Sequence, residues 1–181
     1  MAFDFSGVIK LTANHEILPF SCSDDEGAID LNDFLLNDAK LHFTELLSVT
    51  YLFEKNNSTA AYFSLLNDKI SIEDVDSKSQ WKKNFQKGLH QRKKFKSYPA
   101  IKIGRLAVNI NFQGQGIGNT LLDAIKGWLI SDISSGCMYI TVDAYKDSLK
   151  FYEKNNFRYL SSKDETDDTR LMYYDLSLLL P

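Results

Sequence analysis

Apolar positions along this chain change period several times, and each change marks an element. Across "IDLNDFLLNDAKLHFTELL" they fall at Ile29, Phe34, Leu35, Leu41, Leu46 and Leu47. That spacing predicts one helix or two short ones, entered through the cap-and-turn cluster "SDDEG". "SVTYLFEK" and "AAYFSLL" are rich in β-branched and aromatic residues, and "NNST" between them is turn chemistry, so the pair predicts a β-hairpin. Residues 68 to 97 are polar without a strong period, although "WKKNFQKGLHQRKKF" has the composition of a basic amphipathic helix. "YPAIKIGRLAV" returns to strand, with Pro99 placing its start at an edge or an opening.

Farther on, Ile117, Leu121, Leu122, Ile125, Trp128 and Leu129 repeat at helical spacing and read as a core-facing stripe. "MYITVD" predicts a short strand with Met138, Ile140 and Val142 on one face. "SLKFYEKNN" is helical, and "FRYL" and "RLMYYDLSL" are strands joined by "SSKDETDDT". Helices and strands interleaved in this order predict an α/β or α+β sandwich around a mixed sheet. At 181 residues, without repeat, low-complexity tract or linker, one domain over 1–181 is the simplest organisation.

Composition is that of an ordinary globular chain. No apolar run approaches the ~20 residues of a membrane span. "MAFDFSGVIK" is interrupted by Asp4 and does not read as a signal peptide, so a cytoplasmic location is expected. Cys22 and Cys137 form neither a metal pattern nor a disulfide framework; no metal is expected, and both read as small packing residues. His15, His42 and His90 are isolated, and none is assigned as a general base.

Charge changes the picture more. Nine of the 21 Lys and Arg lie between Trp81 and Arg105, a stretch without Asp or Glu. The Trp81–Lys96 segment is either a solvated basic face or a docking surface for a polyanion. In the second case Lys82, Lys83, Lys87, Arg92, Lys93, Lys94 and Lys96 neutralise phosphates. Acid is dense at "SDDEGAIDLND" and "KDETDD".

The candidate chemistry sits in "QGQGIG", between the strand and the core-facing helix. A P-loop needs Gly-Lys-Ser/Thr, and here Gly118 is followed by Asn119 and Thr120. A dinucleotide fingerprint needs Gly-x-Gly-x-x-Gly, but Gly114, Gly116 and Gly118 are spaced two by two, with Asn119 in the third glycine's place. Two readings remain. One is a tight strand-to-helix turn without ligand. The other is a helix N-terminus near Gly116 that presents amides and its positive dipole end to a pyrophosphate.

With its flanks, "GRLAVNINFQGQGIGNTLLDAI" resembles the acetyl-CoA motif of the GNAT superfamily of N-acetyltransferases, Gln/Arg-x-x-Gly-x-Gly/Ala, with Gln113, Gly116 and Gly118 in the defined positions. "ITVDAYKDSLKFYEKNNF" resembles the strand and helix that follow in that family and end Phe-Tyr-x-x-x-Gly-Phe. Phe151, Tyr152 and Phe157 match, and Asn156 replaces the glycine, a residue that tolerates left-handed backbone angles. The resemblance covers residues 104 to 160. It implies a GNAT-like acyl-CoA acyltransferase fold, α+β (an α/β three-layer sandwich), with a mixed, mostly antiparallel sheet flanked by helices. It also implies acetyl-CoA as co-substrate and direct attack by an amine in a ternary complex. The pantetheine arm is then expected beside Leu106, Ala107 and Val108, and the pyrophosphate on the amides of Gln113, Gly114, Gln115, Gly116, Ile117, Gly118 and Asn119. Tyr152 falls to the leaving thiolate. A free tyrosine has a pKa of ~10 against ~8.5 for a thiol, so Tyr152 either donates a hydrogen bond to sulfur or has a lowered pKa.

A looser resemblance extends over almost the whole chain, to the branch that includes the aminoacyl-tRNA-acetylating toxins. Phe20, Cys22, Leu31, Phe34 and Leu35 fit its early pattern, while Ser23 replaces a glycine and extra residues follow. Three functions are compatible: acetylation of a primary amine on a small molecule or protein, toxin-like acetylation of aminoacyl-tRNA, and a non-catalytic acetyl-CoA-binding module. The acidic early segment differs from the surface expected of a tRNA binder, so the sequence favours the first. A homodimer is compatible with all three.

Overall fold

The computed structural model describes residues 7–23, 29–86, 95–131 and 136–180. The strand order is β1 (Val8–Lys10), β2 (Val49–Lys55), β3 (Ser58–Ser71), β4 (Ser97–Val108), β5 (Tyr139–Tyr145), β7 (Thr169–Asp175), β6 (Arg158–Tyr159). The chain divides into two compact units, residues 1–66 with 103–131 and residues 67–102 with 132–181, and strands β3 and β4 run through both.

The first unit contains β1 (Val8–Lys10), α1 (Ile29–Asp33), a π-helical turn (Phe34–Asp38), α2 (Ala39–Thr44), β2 (Val49–Lys55), most of β3 (Ser58–Ser71), the end of β4 (Ser97–Val108) and α4 (Ile117–Ser131). The predicted hairpin is β2–β3. Its two-residue loop, Asn56 and Asn57, has φ of 52° and 56°, so both residues are left-handed as a type I′ turn demands, and asparagine accepts that state. Short strand β1, unmarked in the apolar pattern, pairs antiparallel with β2.

The helical stretch is the single helix of the two arrangements its spacing allowed, with its regular period broken. It is one continuous run, but the Ala39 amide reaches back five residues to the Phe34 carbonyl. This wider turn puts Phe34, Leu35 and Ala39 together in the core with Leu11, Cys22, Leu52, Tyr62 and Ala107. It also rotates everything that follows out of α-helical phase. Leu41, seven residues beyond Phe34 and on its face in a regular helix, is therefore half exposed, as is Leu47, and Leu46 is 91% exposed.

The second unit contains the end of β3, α3 (Lys78–Phe85), the start of β4, β5 (Tyr139–Tyr145), α5 (Leu149–Lys154), β6 (Arg158–Tyr159) and β7 (Thr169–Asp175). Ser77 caps α3 by accepting the Gln80 amide at 3.2 Å. Trp81 and Phe85, one turn apart, stack at 4.9 Å and enter a core with Tyr98, Tyr139 and Tyr173. Strand β5 is buried on both faces from Tyr139 to Val142, where its alternation had predicted one. It pairs antiparallel with β7 and in parallel with β4. The parallel ladder is short: Ala100–Tyr139, Ile101–Ile140 and Lys102–Thr141. Pro99 lies just before it, and its carbonyl accepts the Met138 amide at 3.0 Å.

Candidate functional site

The glycine turn of the first unit is built by its neighbours. Strand β4 ends at Val108 and is followed by Asn109, a buried residue whose amide donates to the Ala60 carbonyl at 2.9 Å and whose Nδ2 donates to the Thr59 carbonyl at 3.0 Å. Its Oδ1 accepts the Asn111 amide at 3.1 Å and starts a 3₁₀ turn over Ile110–Phe112. Gly114 and Gly116 follow with φ of 75° and 79°. A Cβ on either would meet nothing within 4 Å, so packing does not require glycine there. The backbone angle requires it, and the space that a Cβ would take at either position is open. Helix α4 begins at once, and the Gly116 carbonyl accepts both the amide and the hydroxyl of Thr120 at 3.1 Å. The amides of Ile117 and Gly118 precede any i−4 acceptor within the helix, so they and the helix dipole favour an anion in front of the turn.

The side chain of Gln113 is engaged elsewhere. Its Nε2 donates to the carbonyl of Cys22 at 2.6 Å and to that of Val108 at 2.9 Å. Its main-chain amide closes the 3₁₀ turn with a long bond to the Ile110 carbonyl at 3.4 Å, so a phosphate would have to share that N–H. Leu106 and Val108 are half-buried, whereas the Ala107 side chain lies in the first unit's core. Along 106–108, too, it is the main chain that a ligand can pair with. Gln115 and Asn119 are exposed at the turn.

Tyr152 lies in the second unit, on α5, buried between Phe151 at 5.1 Å and Phe157 at 5.3 Å, both edge-on. Asn156 holds φ of 65°, and the Phe157 amide donates to the Tyr152 carbonyl at 3.0 Å, so asparagine does close this helix in the glycine's conformation. Among the described residues, no charge or hydrogen bond offsets the burial of the Tyr152 hydroxyl. Burial pushes its pKa well above the ordinary tyrosine value. Of the two roles open in the sequence, the lowered pKa finds no cause in these surroundings. A neutral hydroxyl that donates fits them.

In the basic segment, Trp81 is wholly buried and offers no face to a ligand, whereas Lys82, Lys83 and Lys96 are exposed. Lys87, Arg92, Lys93 and Lys94 lie outside the described residues, as do His90 and the acidic Asp24, Asp25 and Glu26. His15 pairs with Glu54 at 2.8 Å, and His42 packs edge-on against Phe34 with Nδ1 3.2 Å from the Ser48 hydroxyl. Among the described residues, no three His, Cys, Asp or Glu side chains are grouped to hold a metal ion, and no helix is long and apolar enough to cross a membrane.

Periodicity missed a polar set on α1. Arg105 packs over the Phe34 ring at 5.2 Å, and its Nη2 donates to Asp30 Oδ1 at 3.3 Å. Its Nε lies 3.1 Å from Oδ2, an ion-pair distance at which the N–H is not aimed at the oxygen. Asn32 bonds main chain at both Cys22 and Ser23. The signal for Arg105 was present, since it is the one charge in "IGRLAVNINF".

A family model described as the acetyltransferase (GNAT) domain matches residues 89–178. The chain carries a GNAT acetyltransferase domain. Acetyl-CoA is the co-substrate of such domains. The mixed seven-stranded sheet is the GNAT fold, and solved structures repeat it over nearly the whole length. AtaT complexed with acetyl-methionyl-tRNAfMet aligns at TM-score 0.74 and 21% identity over 95% of each chain. AtaTR bound with acetyl-CoA aligns at TM-score 0.72 and 20% identity over 96% of this chain and 97% of its own. A KacT mutant gives TM-score 0.72 and 20% identity over 95% of both. No curated protein matches the sequence significantly.

Proposed function

We propose that this GNAT chain, acting as one domain over residues 1–181, transfers an acetyl group from acetyl-CoA to the amino group of an aminoacyl-tRNA. The observation that carries the coenzyme half is the turn at Gly114 and Gly116, where two left-handed glycines face open space ahead of α4. The amides from Gln113 to Asn119 receive the pyrophosphate. The main chain of Leu106–Val108 pairs with pantetheine, and one of its N–H groups polarises the acetyl carbonyl. The neutral amine attacks the thioester carbonyl directly and gives up a proton to water, the C–S bond breaks, and Tyr152 stays neutral and donates a hydrogen bond to the departing thiolate, which takes its proton from solvent.

For the acceptor, the likeness to AtaT complexed with acetyl-methionyl-tRNAfMet supports the tRNA reading over a small or protein amine. The surface of α3 agrees: its apolar residues point inward and Lys78, Lys82 and Lys83 are exposed. The acid that argued against RNA is reduced, because Asp30 is paired with Arg105.

The test is incubation of the protein with acetyl-CoA and, separately, charged tRNA, free amino acids, polyamines and peptides, with mass spectrometry of each. Acetylated aminoacyl-tRNA is the expected product, lost on Lys82→Gln with Lys83→Gln at ~200 mM salt before ~50 mM. Transfer to free amines or peptides without transfer to charged tRNA overturns the acceptor assignment.

A further inference from the structure

Three consecutive residues of α1 are each fastened to a different part of the first unit. Asp30 pairs with Arg105 of β4, and the Leu31 carbonyl accepts the Tyr62 hydroxyl of β3 at 2.7 Å. Asn32 holds the segment ahead of the helix: its Oδ1 accepts the Cys22 amide at 2.9 Å and its Nδ2 donates to the Ser23 carbonyl at 3.2 Å.

That segment is itself bound to the glycine turn. The Ile110 amide donates to the Ser21 carbonyl at 2.8 Å, and Gln113 Nε2 donates to the Cys22 carbonyl at 2.6 Å. Cys22 is therefore bonded on one side to Asn32 and on the other to Gln113. The path from α1 to the glycine turn is Asn32, Cys22, Gln113, its first link of ordinary length at 2.9 Å and its second short at 2.6 Å. Helix α1 is thus tied to both flanks of Leu106–Val108, by Asp30 to the residue before it and through Cys22 to the turn after it.

We infer that Asn32 is a positioning residue, acting through Cys22 and Gln113 on the coenzyme turn, so that coenzyme bound at the glycines and order in α1 stabilise one another. The inference rests on the coenzyme site proposed above. Chemistry at position 32 is restrictive: a side chain must accept from one amide and donate to a carbonyl one residue on. Asparagine does both at once. Aspartate keeps the acceptor but lacks the donor, and would set a negative charge against the Ser23 carbonyl. A residue that only supported the fold would change stability without altering how α1 responds to ligand. Coupling between sites is a reciprocal quantity, so it is readable from either end.

The experiment uses the full chain and free coenzyme A, which carries the pyrophosphate but no acetyl group and so permits no turnover. Calorimetry gives its Kd. Deuterium exchange of residues 29–44 and 110–120 is followed with and without it, in the native protein and in Asn32→Ala, Asn32→Asp and Gln113→Ala. Coenzyme A is expected to slow exchange in both stretches of the native protein. In the variants the slowing at 110–120 persists while that at 29–44 is lost, and Kd weakens roughly 5-fold or more. Asn32→Asp serves if Asn32→Ala does not fold. A native protein whose 29–44 stretch ignores bound coenzyme A, or variants whose 29–44 stretch still responds, overturns the inference. Absence of coenzyme binding in calorimetry is a different failure: it removes the coenzyme site, and the coupling with it.

Discussion

Leu46 and Asn156 close α2 and α5 in the same left-handed backbone state, with φ of 58° and 65°. The bonds match as well. The Leu47 amide donates to the His42 carbonyl at 2.9 Å and the Leu46 amide to Phe43 at 3.3 Å, as the Phe157 and Asn156 amides do to Tyr152 and Glu153 at 3.0 Å. Both are Schellman endings, where glycine or asparagine is the usual occupant. A left-handed leucine costs about 1–2 kcal/mol, and Leu46 recovers little by burial at 91% exposure. Leu46→Asn is expected to stabilise the protein by about 0.5–1 kcal/mol, roughly 1–4 °C in Tm for a chain of this size. Asn156→Leu should lower Tm. Thermal unfolding of the two variants checks both signs.

Coenzyme binding should register in stability. Acetyl-CoA at 100 times its Kd adds about 2.7 kcal/mol, a rise of roughly 5–10 °C. Gly116→Glu is expected to abolish that rise by placing a like charge before the turn. Because any side chain at φ of 79° is strained, Gly116→Ala is the comparison. Alanine should lower the starting Tm similarly and keep most of the response. Equal loss of response in both would assign the effect to strain.

Tyr152→Phe keeps the ring between Phe151 and Phe157 and removes the hydroxyl. Affinity for acetyl-CoA should change little, while turnover falls roughly 10²-fold or more. Steady-state kinetics beside calorimetry separates the two. A parallel fall in affinity, or unchanged turnover, removes Tyr152 from the leaving-thiolate role.

Alkali should unfold this protein in a graded way. Burial raises the pKa of Tyr62, Tyr139 and Tyr152 above their unfolded value of ~10. The folded state therefore holds protons that the unfolded state has released, and stability is fully present below pH ~10 and lost as pH rises beyond it. Tyr152→Phe is expected to flatten that loss by one proton, about 1.4 kcal/mol per pH unit. Denaturant midpoints at pH ~8, ~10 and ~11 measure the slope, and an unchanged slope would mean the hydroxyl ionises in the folded protein.

What the sequence determined by itself is local or nearly so. The Asn56-Asn57 turn, the apolar stripe of α4, the left-handed state of Asn156 and the strand–glycine–helix motif each follow from steric and hydrogen-bonding rules acting over a few residues. The tertiary structure decided the rest. The π turn at Phe34–Asp38 shifted helical phase and turned Leu41 outward, which no periodicity of apolar residues records, and it seats Phe34, Leu35 and Ala39 in one core with residues distant in the chain. Trp81 opens a segment that reads only as a basic amphipathic stretch, and its place in a core with Phe85, Tyr98, Tyr139 and Tyr173 is set by the fold. Gln113 matches the motif as a coenzyme residue, yet its side chain is spent on Cys22, 91 residues away. Bonds of that reach carry no sequence period, and only the folded chain brings the partners together.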